Sequence, residues 1–162
     1  MKKIFTQIAV AFGCMFLVGC DTVFDVHPYD VHVDGDKNVN AANIAKIESA
    51  IKDKDTIRFA MISDSHQWLD DLKKEVGDIN RRKDSIDFVL HCGDVTDFGA
   101  TQEFLWTRDR LQKLKMPFVV LLGNHDCLGT GNQTYEVVFG KPDFSFIAGR
   151  VKFVCLNTNA IE

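Results

Sequence analysis

The sequence predicts an α/β fold in which a largely parallel sheet is layered with helices. Three apolar runs have the length of buried strands, and the stretches between them place apolar residues at helical spacing. Two of these runs, at 86–92 and 118–122, are almost continuously apolar, which is typical of parallel strands with both faces covered. Strands and helices that alternate in this way favour parallel neighbours.

The first 19 residues are predicted to be a lipoprotein-type signal peptide. Two lysines precede an apolar run of 15 residues, which is short for a membrane span of ~20 residues and suits a secretory signal. The run ends in the sequence Leu-Val-Gly-Cys, which resembles the bacterial lipobox, so we expect cleavage before Cys20 and lipidation of that residue. The alternative is an ordinary signal peptide, or a short anchor, with an incidental cysteine.

Residues 20–55 are predicted to form a tether, an edge strand or hairpin, and a first helix. The stretch 21–35 alternates apolar and polar residues and contains a proline, which suits an edge position. In the following stretch Ile44, Ile47 and Ile51 share one helical face, and Asn40 is a plausible N-cap.

Residues 56–162 carry the remaining elements. The first strong strand is predicted at 56–63, and a helix follows with apolar residues at positions 69, 72, 76 and 79. After the second strand at 86–92, Thr101 can cap another helix. Pro117 opens the third strand at 118–122, a short helical piece lies near 135–139, and a fourth strand is expected at 151–157.

Each of the first three strands ends in residues able to bind metal. They are Asp64 and His66 after the first strand, Asp94 and Asp97 after the second, and Asn124, His125 and Asp126 after the third. The interval is 30 residues from Asp64 to Asp94 and again 30 from Asp94 to Asn124, close to the length of a strand–helix–strand unit. Open α/β sheets place their ligands at the carboxyl ends of the strands, so these groups should cluster.

A bound cation explains why carboxylates would gather at one edge of a sheet. Without one, close carboxylates repel and one would stay protonated. Oxygen and imidazole ligands without an obligatory thiolate suit divalent ions such as Mn, Fe or Zn. Asp94 follows the middle strand and could bridge two ions, which would activate water for an in-line displacement at phosphorus.

The ordered motifs Asp-x-His, Gly-Asp-x-x-Asp and Gly-Asn-His-Asp resemble the first three motifs of the calcineurin-like metallophosphoesterases. Each motif alone also has a purely structural explanation, as a turn or a helix cap. The resemblance covers about residues 56–158 and implies that Asp64, His66 and Asp94 hold one ion. It further implies that Asp94 and Asn124 hold a second ion, that His125 assists the leaving group, and that Asp97 orients His125.

This family completes its metal sites with further histidine motifs, and no histidine follows His125 here. We therefore expect an incomplete domain, the N-terminal part of a longer phosphoesterase, in which one face of the sheet is exposed. Two alternatives remain at this point. One is a catalytically inactive metal-binding or interaction lipoprotein that keeps part of the fold, and the other is a remnant that does not fold.

Charge limits the expected partners. The formal net charge is −4, and residues 20–162 carry 17 basic against 23 acidic side chains, which argues against specific nucleic-acid binding. The expected substrate is a phosphoester, either a small molecule or a phosphoprotein. The expected location is the bacterial cell envelope, where lipidated Cys20 would anchor the protein to a membrane.

Overall fold

The computed structural model describes residues 27–159, so the predicted signal peptide and Cys20 lie outside the described residues. The helices in this part are α1 (Val39–Ala50), α2 (Leu69–Arg81), α3 (Thr101–Leu111) and α4 (Gly131–Val138), with a 3₁₀ turn at His125–Cys127. The strands are β1 (Phe59–Ile62), β2 (Phe88–His91), β3 (Phe118–Val120), β4 (Phe144–Ala148) and β5 (Val151–Cys155). Within residues 27–159, no helix has the length and apolar character needed to cross a membrane.

The first three strands form one parallel sheet in the order β1-β2-β3, which confirms the predicted fold class. Ile62 pairs with His91, and His91 pairs with Val120. The strands are shorter than the sequence predicted. Left-handed backbone at Asp64 and Gly93 turns the chain out of the sheet soon after β1 and β2 end.

Both faces of the sheet are covered, as the continuous apolar runs predicted. One face packs on α2, α3 and α4 through a buried cluster that includes Leu72, Val89, Phe104, Val120 and Tyr135. The other face packs on α1 and on the antiparallel hairpin β4–β5, through a cluster that includes Ile47, Phe88, Leu90, Val119 and Phe146. The side chains of β2 and β3 therefore alternate between two separate cores.

The β1 edge is the exposed part of the sheet. Phe59 is 40% exposed and Met61 is 63% exposed, although the Phe59 ring stacks on Phe88 with centroids 5.2 Å apart. The expectation of an exposed sheet face is therefore wrong for residues 27–159, because α2, α3 and α4 cover one face and α1 with the β4–β5 hairpin covers the other.

Asn40 is not the helix cap that the sequence predicted. The helix begins at Val39, and Asn38 occupies the cap position with φ 50°. The buried Asn40 side chain instead pairs with the end of β3: its Nδ2 donates to the Val120 carbonyl at 2.8 Å, and its Oδ1 accepts from the Val120 N–H at 2.9 Å. The amide thus takes the place of a neighbouring strand beside β3.

Residues 27–36, which we call the N-terminal strap, form no strand. The edge strand or hairpin expected at 21–35 is therefore absent from residues 27–35, and residues 21–26 lie outside the described residues. Several backbone carbonyls of the strap accept hydrogen bonds from residues of α3 instead of pairing with a strand. The Pro28 carbonyl accepts a hydrogen bond from the Thr101 N–H at 3.1 Å. The buried Arg108 guanidinium donates to the Asp34 carbonyl at 2.6 Å, which fixes the other end of the strap on α3.

Thr101 is also not a cap, because α3 begins at this residue and Ala100 holds the cap position. The Thr101 hydroxyl donates to the Asp30 carbonyl in the strap at 2.6 Å. The Glu103 carboxylate accepts from the Ala100 N–H at 3.0 Å and satisfies the helix start instead.

We predict that Asn40→Ala lowers the free energy of unfolding by about 1–3 kcal/mol, because the buried Val120 N–H loses its partner, whereas the Val120 carbonyl keeps the hydrogen bond from the Tyr135 hydroxyl. Urea denaturation measures this change. Asn43→Ala is the matched control: Asn43 lies on the same helix and is also buried, but its side chain accepts one long bond of 3.5 Å from Lys46. Equal losses in the two variants would contradict the role given to Asn40.

Candidate metal site

Two of the predicted ligand-bearing loops are joined to each other by their backbones. The Asp64 N–H donates to the Gly93 carbonyl at 3.1 Å, and the His66 N–H donates to the Asp94 carbonyl at 3.1 Å. The loops after β1 and β2 therefore form one platform at the carboxyl edge of the sheet. This is the edge at which parallel sheets bind ligands.

Glycine is required where the loops after β2 and β3 meet. A Cβ on Gly123 would lie 2.1 Å from the Asp94 nitrogen and 2.2 Å from Asp94 Oδ1. A Cβ on Gly93, which has φ 101°, would lie 2.8 Å from the Gly123 backbone. No side chain fits in either place, so the two glycines let the third loop come up to Asp94.

Three predicted ligands adopt left-handed backbone conformations. The φ angles are 55° at Asp64, 42° at His66 and 53° at Asp94. Non-glycine residues rarely adopt this region, and each such residue costs on the order of 1–3 kcal/mol. The surrounding hydrogen bonds hold this strain in place, and strain of this kind gathers at functional sites.

The structure brings Asp64, His66 and Asp94 together. One ligand atom from each lies within 4.8 Å of the others, and His66 Nε2 is 3.9 Å from Asp64 Oδ1. His66 Nδ1 lies 2.9 Å from the Thr96 carbonyl and 3.0 Å from Asp97 Oδ1, so the ring proton belongs on Nδ1. The lone pair of Nε2 then faces Asp64, the arrangement that metal-binding histidines adopt.

Asp97 contacts both histidines, through different groups. Its carboxylate lies against His66, whereas its backbone carbonyl contacts His125 Nδ1 at 2.9 Å. Asp97 therefore holds His125 through the main chain. Ligand atoms of His66, Asp97 and His125 also lie within 4.8 Å of one another, so a second cluster adjoins the first.

The environment of His125 favours its protonated form. The Asp97 carbonyl that receives its hydrogen bond raises the pKa of the imidazole, burial opposes that rise, and the neighbouring carboxylates of Asp94, Asp97 and Asp126 add to it. The two histidine rings meet edge to face with centroids 4.8 Å apart. The His125 N–H donates to Asp94 Oδ1 at 3.0 Å, which fixes the third loop on the second.

Asn124 occupies the position before the 3₁₀ turn, and its side chain is exposed. Its carbonyl accepts a hydrogen bond from the Cys127 N–H at 3.2 Å. The residue therefore stands next to His125 at the same edge of the sheet.

Asp126 connects the second and third loops from beneath the site. Its carboxylate is fully buried and accepts 2.9 Å hydrogen bonds from the Thr96 N–H, the Thr96 hydroxyl and the Gly123 N–H. Burial raises the pKa of Asp126, and these hydrogen bonds act against that rise. The sequence marked Asp126 only as part of a motif, because its partners lie on another loop.

Sequence reasoning did not identify Glu103 as part of the site. This buried carboxylate accepts hydrogen bonds from the Phe98 N–H at 3.1 Å and from Gln67 Nε2 at 2.9 Å, in addition to the Ala100 N–H. It therefore joins the loops after β1 and β2. An acidic residue at the third position of a helix was a signal that could have identified it.

His91 lies in the core behind the site. Its Nε2 is 3.0 Å from the Ser65 hydroxyl, and its Nδ1 has no hydrogen-bond partner among the described residues. Burial lowers the pKa of His91 to about 4, against the opposing charge of Asp64. The ring is therefore neutral at ordinary pH and supports the loop between Asp64 and His66.

The donor set fits divalent cations. Within residues 27–159, no lysine or arginine forms an ion pair with Asp64, Asp94 or Asp97. The carboxylates therefore lack a protein counter-charge, and His66 offers a free nitrogen beside them. Oxygen and imidazole groups so arranged suit Mn, Fe or Zn.

Comparison with known proteins agrees with this geometry. The sequence profile of the family described as calcineurin-like phosphoesterase matches residues 57–161, well over half of the chain. A probable glycerophosphodiester phosphodiesterase of Arcobacter nitrofigilis is 40% identical over 48 residues. That match covers 30% of this chain and 18% of the Arcobacter protein, so the chain spans less than a fifth of that relative's length. The chain belongs to the calcineurin-like phosphoesterase family.

Proposed function

We propose that this protein is an exported, lipid-anchored phosphoesterase that depends on two divalent metal ions. In this proposal Asp64, His66 and Asp94 hold one ion, and Asp94 and Asn124 contribute to the second. The cluster of Asp64, His66 and Asp94, with ligand atoms within 4.8 Å and no lysine or arginine partner among the described residues, carries the proposal. The proposed substrate is a phosphate diester or monoester, and the name of the Arcobacter relative favours a diester.

Asp94 and His66 have distinct roles in such a reaction. When bound, the ions would neutralise the carboxylates, polarise the phosphoryl group and lower the pKa of water. Asp94 lies at the junction of the three loops, so its charge is available to both ion positions. His66 keeps its Nε2 free because Thr96 and Asp97 hold its Nδ1.

His125 is the proposed proton donor to the leaving group. Its Nδ1 is held by the Asp97 carbonyl, so its other ring nitrogen is free to meet the substrate oxygen. The raised pKa of this imidazole increases the protonated fraction near neutral pH, which a general acid requires.

We predict that Asp94→Asn lowers metal-dependent hydrolysis of bis(4-nitrophenyl) phosphate at least ~100-fold, because it removes a ligand charge shared by both ion positions. The assay uses the full-length protein of the reading frame with Mn²⁺, Zn²⁺ or Fe²⁺. Asp70→Asn, at an exposed acid in the first turn of α2, is the matched control and should leave turnover unchanged. Equal activity of Asp94→Asn and the parent would refute the metal site. Inactivity of the parent on aryl monoesters and diesters would instead support a binding lipoprotein.

We predict that His125→Ala lowers kcat by roughly 10²–10⁴-fold while most metal binding remains, since the residue delivers a proton and is not a proposed ligand. Isothermal titration with Mn²⁺ separates the two effects. An aryl ester with a more acidic leaving group should recover part of the lost rate. Loss of metal binding in step with loss of turnover would place His125 among the ligands.

We predict that Cys20 is the N-terminus of the mature protein and carries acyl chains, because it ends the lipobox-like sequence. Mass spectrometry of the N-terminal peptide from the membrane fraction measures this. Cys20→Ser should leave the protein unlipidated. A soluble parent protein that begins at another residue would reduce the segment to an ordinary signal peptide.

A further inference from the structure

Three large apolar side chains are exposed at the edge that carries the candidate metal site. Trp68 is 70% exposed, Phe98 is 57% exposed and Leu128 is 46% exposed. Each belongs to a different ligand-bearing loop: Trp68 follows His66 by two residues, Phe98 follows Asp97 directly, and Leu128 follows His125 by three. We call these three residues the apolar rim.

The loops of the apolar rim are held next to one another. Gly99, beside Phe98, packs so closely on the Leu128 carbonyl that a Cβ there would lie 2.2 Å from the oxygen. On the other side, Gln67, the neighbour of Trp68, bonds to Glu103, which also accepts from the Phe98 N–H. The three exposed side chains therefore project from one connected border of the site. Exposed apolar groups of this kind mark interaction surfaces.

The N-terminal strap starts beside this rim. Its Pro28 carbonyl is bonded to Thr101, three residues beyond Phe98, and its Tyr29 carbonyl accepts from the Thr130 hydroxyl at 2.7 Å, two residues beyond Leu128. The Tyr29 ring covers Gly129 so closely that a Cβ there would lie 2.5 Å from it. The start of the strap is thus fixed at the loops of the site and not at the far end of the sheet.

Chain length then limits how far a lipid on Cys20 can lie from the site. Pro28 is the eighth residue after Cys20, and eight residue steps span at most about 28 Å in any conformation. A compact domain of this size is on the order of 35 Å across. To place the opposite end of the sheet on the membrane, the tether would have to run around the domain, which is farther than it reaches.

We propose that the face carrying the candidate metal site lies against the bilayer, with Trp68, Phe98 and Leu128 in the headgroup region. Indole rings favour that region, where one side is apolar and the other wet. The substrate class would then be phosphoesters borne by the membrane surface, such as phospholipid headgroups. This inference rests on the proposed lipid anchor and extends the proposed function.

Tryptophan fluorescence tests the orientation without requiring activity. The chain's two tryptophans are Trp68 and Trp106, so Trp106→Phe leaves Trp68 as the reporter. The lipid-modified full chain is inserted into phosphatidylcholine–phosphatidylethanolamine vesicles with brominated acyl chains. We expect brominated lipid to quench Trp68 emission at least twofold.

A matched control places the reporter at the opposite edge of the sheet. Lys115 is exposed just before β3, and Lys115→Trp combined with Trp68→Phe and Trp106→Phe should show no quenching by brominated lipid. Trp68 quenched by acrylamide but not by brominated lipid would overturn the inference, because the rim would be in water. Trp68 protected from both quenchers would also overturn it, because protein and not lipid would cover the rim.

Activity provides an independent comparison. A flexible 40-residue Gly-Ser insertion after Asp21 should lower hydrolysis of a vesicle-borne phospholipid at least fivefold and leave bis(4-nitrophenyl) phosphate turnover unchanged. An equal effect on both substrates, or none on the lipid, would count against a surface substrate. Failure to hydrolyse either ester would refute the proposed function, while the quenching result still decides the orientation. An unlipidated Cys20 would overturn both the anchor and this inference.

Discussion

The close approach of the loops after β2 and β3 is the constraint on which the site depends. Gly93 and Gly123 leave no space for side chains between them, and Asp94 occupies the gap with its backbone in a left-handed conformation. Because the loops touch there, the His125 N–H reaches the Asp94 carboxylate. The parallel pairing of β2 and β3 places the ends of the two strands side by side. The two glycines then let the loops that follow these strands touch.

Two kinds of carboxylate share this edge and do different work. Asp126 and Glu103 are buried, and backbone N–H groups satisfy them, so they hold loops together. Asp64 and Asp94 are more open and have no lysine or arginine partner among the described residues, so they retain the capacity to bind a cation. Buried carboxylates that receive several hydrogen bonds need no counter-ion, whereas clustered free ones do. Different carboxylates therefore hold the loops in place and remain free as candidate metal ligands.

Several features of the domain are gathered at one edge of the sheet. The candidate metal ligands, the apolar rim and the start of the N-terminal strap all lie at the carboxyl edge of the sheet. The strap does not form part of the sheet, but Arg108 and Thr101 fix it along α3 toward that edge. An anchor that precedes the strap would thus restrict the site as well as the protein, since tether length and attachment point together limit orientation.

The sequence by itself determined the parallel α/β sheet and the gathering of Asp64, His66 and Asp94, because both follow from local patterns repeated at a strand–helix–strand interval. It also indicated that β2 and β3 are covered on both faces. Tertiary structure alone decided the rest: Asn40 pairs with β3 and does not cap α1, the Asp97 carboxylate turns to His66, and Glu103 and Asp126 tie the loops together. Each of these contacts depends on a hydrogen-bond partner on another element. The local sequence around a polar side chain near a helix start does not indicate which distant group it will bond to.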